Sequence, residues 1–369
     1  MNRLLFLSLL LLFFGCATAG SKETVTAKET TPERVERFSF SYSENTNLLK
    51  TLEGEETKDV DMLFKMANSF YDSGNYSQAE KIYLDILRIN PHYRNSAAAQ
   101  FNLGLIAMKR NDWIESGKRF KLARDLFFKP SDIRDSWLLL MESLRNSESW
   151  DDIINESDSF LRDGRISHFI DENYEIEAGL RKAEALVMTG NKDDGKKLTD
   201  YLIHRTRKGR RRNELMYNPN YAYGNFILGV IGSMKFYSAT LEESEESLYE
   251  KCKMILDAQA HYLIVIQTGV IYWTNASAFE ISRLYTTLYQ EMISIPIPEE
   301  LNEEESKVYE CELWKRISGL LTRPRRYLKR SIEASERINE DNRYTEKSFN
   351  LLRKIEELYS EREKECEGY

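Results

Sequence analysis

Apolar residues recur along most of this chain at the spacing of a helix face rather than a strand face. Leu63, Met66, Ala67 and Phe70 share one helical face. Gly74-Asn75-Tyr76 makes a turn, Ala79 and Tyr83 lie on the next helix, and Pro91 closes the unit. The pattern returns 37 residues later, with Gln100, Leu103-Gly104 and Ala107 before a turn at Asn111-Asp112-Trp113. Ser116, Phe120 and Ala123 follow, and Pro130 lies just past the second helix. A third unit has Trp137, Leu140-Met141 and Leu144, then Trp150, Ile153 and Phe160; Met141 and Ile153 stand where smaller residues are expected and predict wider helix packing. A fourth hairpin runs through Ala183, Leu186, Gly190-Asn191 and Leu202, but Lys192 stands in place of the turn aromatic and Gly195 in place of the usual Ala, which leaves its register open. Alternating apolar and polar runs are missing, and Gly and Pro number only 17 and 7 in 369. An all-α body is expected.

This spacing resembles the tetratricopeptide repeat, which places a large residue, Leu-Gly, Tyr, Ala, Phe and Pro in that order across about 34 positions. The resemblance implies a solenoid of helical hairpins over residues 59–217. Each hairpin would bury its apolar face against its neighbours, and the first helix of each would line a curved surface. Asn68, Tyr71, Leu105, Met108, Glu142 and Arg145 lie beside the packing positions and are the candidate partner-binding groove. Taken singly, each is equally well explained as a solvated or core residue.

From residue 218 the pattern lengthens. Ala222 to Tyr237 is strongly apolar with Gly224, Gly229 and Gly232 interleaved. Its apolar core is too short for a bilayer of about 30 Å, so a buried helix packed closely through its glycines is expected. Leu248–Gln267 and Trp273–Ile293 form two more amphipathic segments. Ser294-Ile295-Pro296-Ile297-Pro298 must break helix, and the acidic stretch Glu299–Glu305 restarts one at its dipole-favoured end. Across roughly residues 250–355, Asp257-Ala258-Gln259-Ala260-x-Tyr262, Tyr272-Trp273-x-x-Ala276, Arg283-Leu284-Tyr285, Ile297-Pro298-x-x-Leu301 and Asn339-x-Asp341-Asn342 occur in that order. This order resembles the C-terminal segment of tetratricopeptide envelope proteins of deltaproteobacteria and related groups, some linked with gliding-motility complexes. The resemblance implies a defined longer-helix module over 218–365, with no catalytic residues and a short tail at 366–369.

The N-terminus carries different information. Arg3 precedes an apolar run from Leu4 to Phe14, and Gly15 stands before Cys16. The run is too short to span a membrane and reads as a signal peptide, residues 1–15. The Gly15-Cys16 junction resembles the lipobox of bacterial lipoproteins, although Phe13 and Phe14 depart from the usual Leu and small residue. The resemblance implies that Cys16 receives diacylglycerol. Ala17 in place of the Asp that retains some lipoproteins at the inner membrane points to the outer membrane, facing the periplasm. Residues 16–58, rich in Thr, Glu, Ser and Lys, cannot bury enough apolar surface to offset chain entropy and are expected to form a disordered tether.

Charge adds one feature. The chain carries a formal net charge of −8, yet His204-Arg205-Thr206-Arg207-Lys208-Gly209-Arg210-Arg211-Arg212 holds seven basic side chains in nine residues. For an exported protein nucleic acid is a poor partner; an anionic lipid or an acidic protein suits the patch of Arg205, Arg207, Lys208, Arg210, Arg211 and Arg212 better. A solvated loop with cations near a helix C-terminus explains it equally well. Of the cysteines beyond Cys16, Cys252 and Cys311 are expected as buried thiols, with pairing between them the alternative, and Cys366 as an exposed thiol in a frayed end. His92, His168, His204 and His261 are widely separated, and no Gly-rich phosphate loop, zinc spacing or nucleophile elbow occurs. No metal or cofactor is expected. The sequence therefore favours a noncatalytic, lipid-anchored envelope scaffold that binds a peptide or helix of another envelope protein. The alternatives are an accessory lipoprotein of outer-membrane assembly or periplasmic solute transport, and an envelope polymer-acting enzyme built from scattered carboxylates.

Overall fold

The computed structural model describes residues 60–91, 95–339 and 342–367. The signal segment 1–15, Cys16 and the tether 16–58 lie outside the described residues, as do His92 and Asp341. The described residues form fourteen α-helices and one 3₁₀ turn, with no strand. The expected all-α class is the one observed. The chain divides into two compact units, whose described parts are 60–191 and 192–367.

The first unit contains α1 (Val60–Asp72), α2 (Tyr76–Ile89), α3 (Ser96–Lys109), α4 (Trp113–Leu126), α5 (Pro130–Asn146), α6 (Trp150–Arg162) and α7 (Glu172–Met188). They form helical hairpins, and their principal contacts run between helices consecutive in the chain, with α5 and α6 sharing the smallest. The first three hairpins turn in the same way. Gly74, Asn111 and Glu148 adopt left-handed backbone, with φ of 79°, 58° and 56°. The next N–H, from Asn75, Asp112 or Ser149, donates to the carbonyl of Phe70, Ala107 or Leu144 at 2.8, 3.0 and 2.9 Å. This closure satisfies carbonyls that the helix end would otherwise leave open. Asn75 and Asp112 then cap the following helix by accepting the N–H of Gln78 and Glu115. The period of 37 residues is thus written in the turns as well as in the apolar faces.

Side-chain size fixes how closely each pair approaches. Ala67, Ala79 and Tyr83 are fully enclosed, and Phe64 meets Tyr83 edge-on with ring centroids 5.8 Å apart. One period later a Cβ on Gly104 would lie 2.8 Å from the ring of Phe120, so the glycine is what admits that ring. In the third unit the sizes are exchanged: Met141 occupies the register of Ala67 and Gly104, and Ser157 that of Tyr83 and Phe120, both fully buried. Trp137 then stacks on Phe160 at 4.0 Å and donates its indole N–H to the Glu156 carbonyl. The large Met141 is matched by a small residue opposite in register, which conserves volume.

Buried polar ties join helices that are second neighbours in the chain. Tyr83 Oη donates to Asn68 Oδ1 at 2.5 Å, and Asn102 Nδ2 donates to both Tyr83 Oη and Asn68 Oδ1, at 2.9 and 3.3 Å. Glu156 pairs with Arg124, and Lys121 Nζ reaches the same carboxylate at 2.7 Å. Arg145 forks onto Glu184. Unpaired, any of these groups would carry its full desolvation cost.

The second unit contains α8 (Lys192–Arg207), a 3₁₀ turn (Arg212–Leu215), α9 (Pro219–Ser238), α10 (Glu245–Thr268), α11 (Ile271–Ile293), α12 (Glu303–Ile317), α13 (Gly319–Arg337) and α14 (Arg343–Glu365). α8, which the hydrophobic spacing groups with the repeats, packs on α9. α11 is the hub, in contact with α9, α10, α12, α13 and α14. The glycines of α9 act as the sequence implies: a Cβ on Gly229 would lie 2.5 Å from the Tyr262 ring, and one on Gly232 would lie 2.9 Å from Ala258 Cα. Among the described residues no helix is long and apolar enough to cross a membrane. Asn275 of α11 donates to Ser335 and accepts from Ser331 of α13, both at 2.6 Å. α11 ends at Ile293 before the two prolines, and Asn302 with Glu305 forms a capping box that starts α12.

Candidate functional site

The six groove candidates sit on first helices of the repeats, but two are enclosed. Asn68 is 9% exposed and held by Tyr83 and Asn102; Arg145 is 5% exposed and held by Glu184. Both are corrected from groove residues to ties between helices, because side chains committed to buried partners cannot meet a ligand without breaking the core. The other four are half-buried. Tyr71 rests edge-on against Tyr76 at 5.3 Å, Leu105 and Met108 pack on the core around Phe101 and Trp137, and Glu142 Oε1 accepts from Asn146 Nδ2 at 2.9 Å. The open apolar surface of this unit lies mainly on the second helices instead, although Phe169 before α7 and Met188 at its end are exposed as well. Ile89 on α2, Ile114 and Leu126 on α4, Leu161 on α6 and Phe128 in the loop after α4 are exposed, whereas α1, α3 and α5 expose no large apolar side chain among the described residues.

The basic run gains a geometry in the second unit. A pocket of about 330 Å³ lies where the end of α8, the 3₁₀ turn and the start of α9 meet the end of α10. Arg207 and Arg210 line it together with Leu215, Met216 and Ile264. Tyr221, Gln267 and Thr268 complete the lining, so it holds two guanidinium groups and no carboxylate. Gly209, with φ of 73°, turns the backbone between the two arginines. Arg210 Nη1 donates to the Thr206 carbonyl and closes the end of α8. Of the remaining cations, Arg205 is half-buried, Lys208 and Arg211 are exposed outside the lining, and the side chain of Arg212 is outside the described set.

The pocket's far wall is held by a constrained clamp. Tyr217 has φ of 59°, a left-handed conformation that costs a bulky residue about 1–3 kcal/mol. Its N–H donates to the Thr268 carbonyl at 2.6 Å, and its ring covers Gly269, where a Cβ would come within 2.8 Å. Thr268 is held in turn by donating to the Val265 carbonyl at 2.6 Å. Leu215 and Met216 are thereby fixed against the end of α10. Basic composition alone signals the arginines; Ile264 and Gln267 come from a helix more than fifty residues further along and carry no such signal.

The cysteines differ from expectation. Cys311 of α12 and Cys366 are disulfide-bonded with Cα atoms 5.4 Å apart, and Cys366 is 6% exposed. The C-terminus is not frayed there, because α14 runs to Glu365 and its apolar face, including Leu352 and Ile355, is buried. Cys252 is the free thiol among the described residues, half-buried, and burial pushes its pKa up to about 11. Several residues that carry the C-terminal resemblance are packing residues: Ala258 and Tyr262 receive the glycines of α9, and Tyr285 Oη donates to Gln259 at 2.5 Å. No group of three or more His, Cys, Asp or Glu able to hold a metal ion occurs among the described residues.

No family model matches the chain, and no curated protein matches it. Among solved structures, a tetratricopeptide repeat protein from Parabacteroides merdae is similar at 12% identity, covering 80% of this chain and 98% of that one, with a TM-score of 0.37. A TPR repeats protein from Bacteroides fragilis is similar at 12% identity over 80% of this chain and 98% of that one, with a TM-score of 0.27. A human IFIT1 dimer with m7Gppp-AAAA is similar at 12% identity over 81% of this chain and 63% of that one, with a TM-score of 0.36.

Proposed function

We propose that this protein is a noncatalytic scaffold of the bacterial envelope, anchored through a lipid on Cys16 and binding protein partners through its helical repeats. One observation carries the reading: the open apolar side chains of the repeat unit gather on and beside its second helices, with Ile114 at the start of α4 79% exposed and Phe128 in the loop after α4 88% exposed. Single exposed apolar residues are ordinary. Their concentration along one helix of each pair is what suits a protein partner. The Gly15-Cys16 junction supports the anchor, and the Cys311–Cys366 disulfide supports export, because such bonds persist in oxidising compartments.

Crosslinking followed by extraction in mild detergent and mass spectrometry tests the scaffold. A recurrent envelope protein is expected, and it should be lost from the Ile114→Asp, Phe128→Asp variant. Recovery of the same partner from that variant, or no recurrent partner from the unaltered protein, overturns the reading. For the anchor, Cys16→Ser should abolish acyl labelling.

A further inference from the structure

We propose that the pocket between α8 and α10 binds an organic phosphate, with the phosphate between Arg207 and Arg210 and an apolar substituent against Leu215, Met216 and Ile264. This inference stands apart from the scaffold reading, since it rests on a different unit of the chain. Charge is the first argument. Acidic residues outnumber basic ones in the whole chain, yet none lines this pocket. The Arg207 side chain has no ion-pair or hydrogen-bond partner among the described residues, and the Arg210 side chain, positioned by its one bond to the Thr206 carbonyl, keeps its other guanidinium N–H groups for a ligand.

The second argument is construction. Two guanidinium forks match a dianionic phosphate, whereas a single carboxylate would leave one fork uncompensated. A volume of about 330 Å³ exceeds what a bare phosphate fills and leaves room for a ring or short chain on the apolar side. The side chains of Tyr221 and Gln267 in the lining offer additional donors. Tyr217, in its left-handed conformation, locks Leu215 and Met216 to the end of α10, so the pocket is formed before a ligand arrives. Backbone strain held in place beside a cavity is the pattern expected of a binding site. The same phosphate chemistry is offered by a soluble phosphate ester and by the headgroup of a phosphatidic acid-type lipid.

The full chain titrated calorimetrically with phenyl phosphate, and sedimented with phosphatidylcholine vesicles with and without phosphatidic acid, separates these sources. Binding of phenyl phosphate without vesicle recruitment assigns a soluble ester; recruitment dependent on phosphatidic acid assigns the lipid headgroup. Arg207→Gln should weaken either interaction about tenfold, while Lys208→Gln, the same charge change one residue away and outside the lining, should leave it within about twofold. Arg207 is exposed at the end of its helix, and an unchanged melting curve for Arg207→Gln confirms that the fold survives. Equal weakening by the two variants would reduce the site to a diffuse field and overturn the proposal. So would inorganic phosphate binding as tightly as phenyl phosphate, or neither phenyl phosphate nor the vesicles binding.

Discussion

Arg145 and Glu184 form a forked ion pair across 39 residues of sequence, with N–O distances of 2.7 and 2.9 Å and both side chains 6% exposed. Removing one partner takes the forked pair of bonds away from a buried charge. Arg145→Ala or Glu184→Ala should each cost about 3–5 kcal/mol, whereas Arg145→Met combined with Glu184→Leu should cost less than either single change. Urea unfolding of the three variants checks this. Additive losses would mean that the pair is not coupled.

Glu148 occupies the left-handed turn position that Gly74 fills in the first repeat. Its side chain works against that conformation by about 1–2 kcal/mol, part of which glycine returns through greater freedom in the unfolded chain. Glu148→Gly should therefore stabilise the protein by roughly 0.5–1 kcal/mol, read as a raised melting temperature.

Glu156 gives the first unit a pH dependence. Burial alone would raise its pKa, but hydrogen bonds and charge from Lys121 and Arg124 outweigh that and hold it below the ordinary 4.5. The unfolded chain binds this proton more readily, so the contribution is fully present above about pH 4.5 and is lost as pH falls through the lower folded value. Urea midpoints measured from pH 7 downward should fall in that acidic window for the unaltered protein. The Glu156→Gln variant should be weaker at neutral pH and lose less on acidification.

Two glycine substitutions test the close packing of α9 on α10. Gly229→Ala drives a methyl group into the enclosed Tyr262 ring, and Gly232→Ala drives one into the backbone of Ala258. Overpacking costs about 1–3 kcal/mol, and the gain in helix propensity recovers about 1 kcal/mol. Both should lower the thermal midpoint. Gly164→Ala, with nothing within 4 Å of the added carbon, should leave it nearly unchanged.

The disulfide closes 55 residues of chain. Chain-entropy arguments give about 4 kcal/mol for a loop of that length. Cys366→Ser should lower stability by that order and make it insensitive to reductant, compared by denaturant unfolding with and without dithiothreitol. Cys252 should label slowly in the native protein, since burial keeps its thiol protonated at neutral pH.

What sequence could reveal here was local. The turns at Gly74 and Asn111, the glycines facing Tyr262 and Ala258, and the break before Pro296 depend on neighbours within one or two helices. Their residue types announce them. Asn68 and Arg145 were harder because Asn102 and Glu184 arrive from helices 34 and 39 residues away, and a polar residue beside a packing position looks like surface until that helix is in place. Cys366 was obscured by the charged residues around it, which describe the outer face of α14 and not the buried one. The pocket was half legible: its cations cluster in sequence, while its apolar wall is assembled by folding.

The range of contacts within each unit sets an order of completion during synthesis. In residues 60–191 the principal contacts join consecutive helices, so each hairpin can settle soon after its own second helix has been made. The other unit cannot do so. Its hub α11 is unfinished until α13 and α14 return to it, and Cys311 waits for Cys366, 55 residues further along. A nascent chain therefore acquires its repeats early and carries an α11 with an open apolar face until α14 has been made, which makes a stop before α14 far more hazardous than one between repeats.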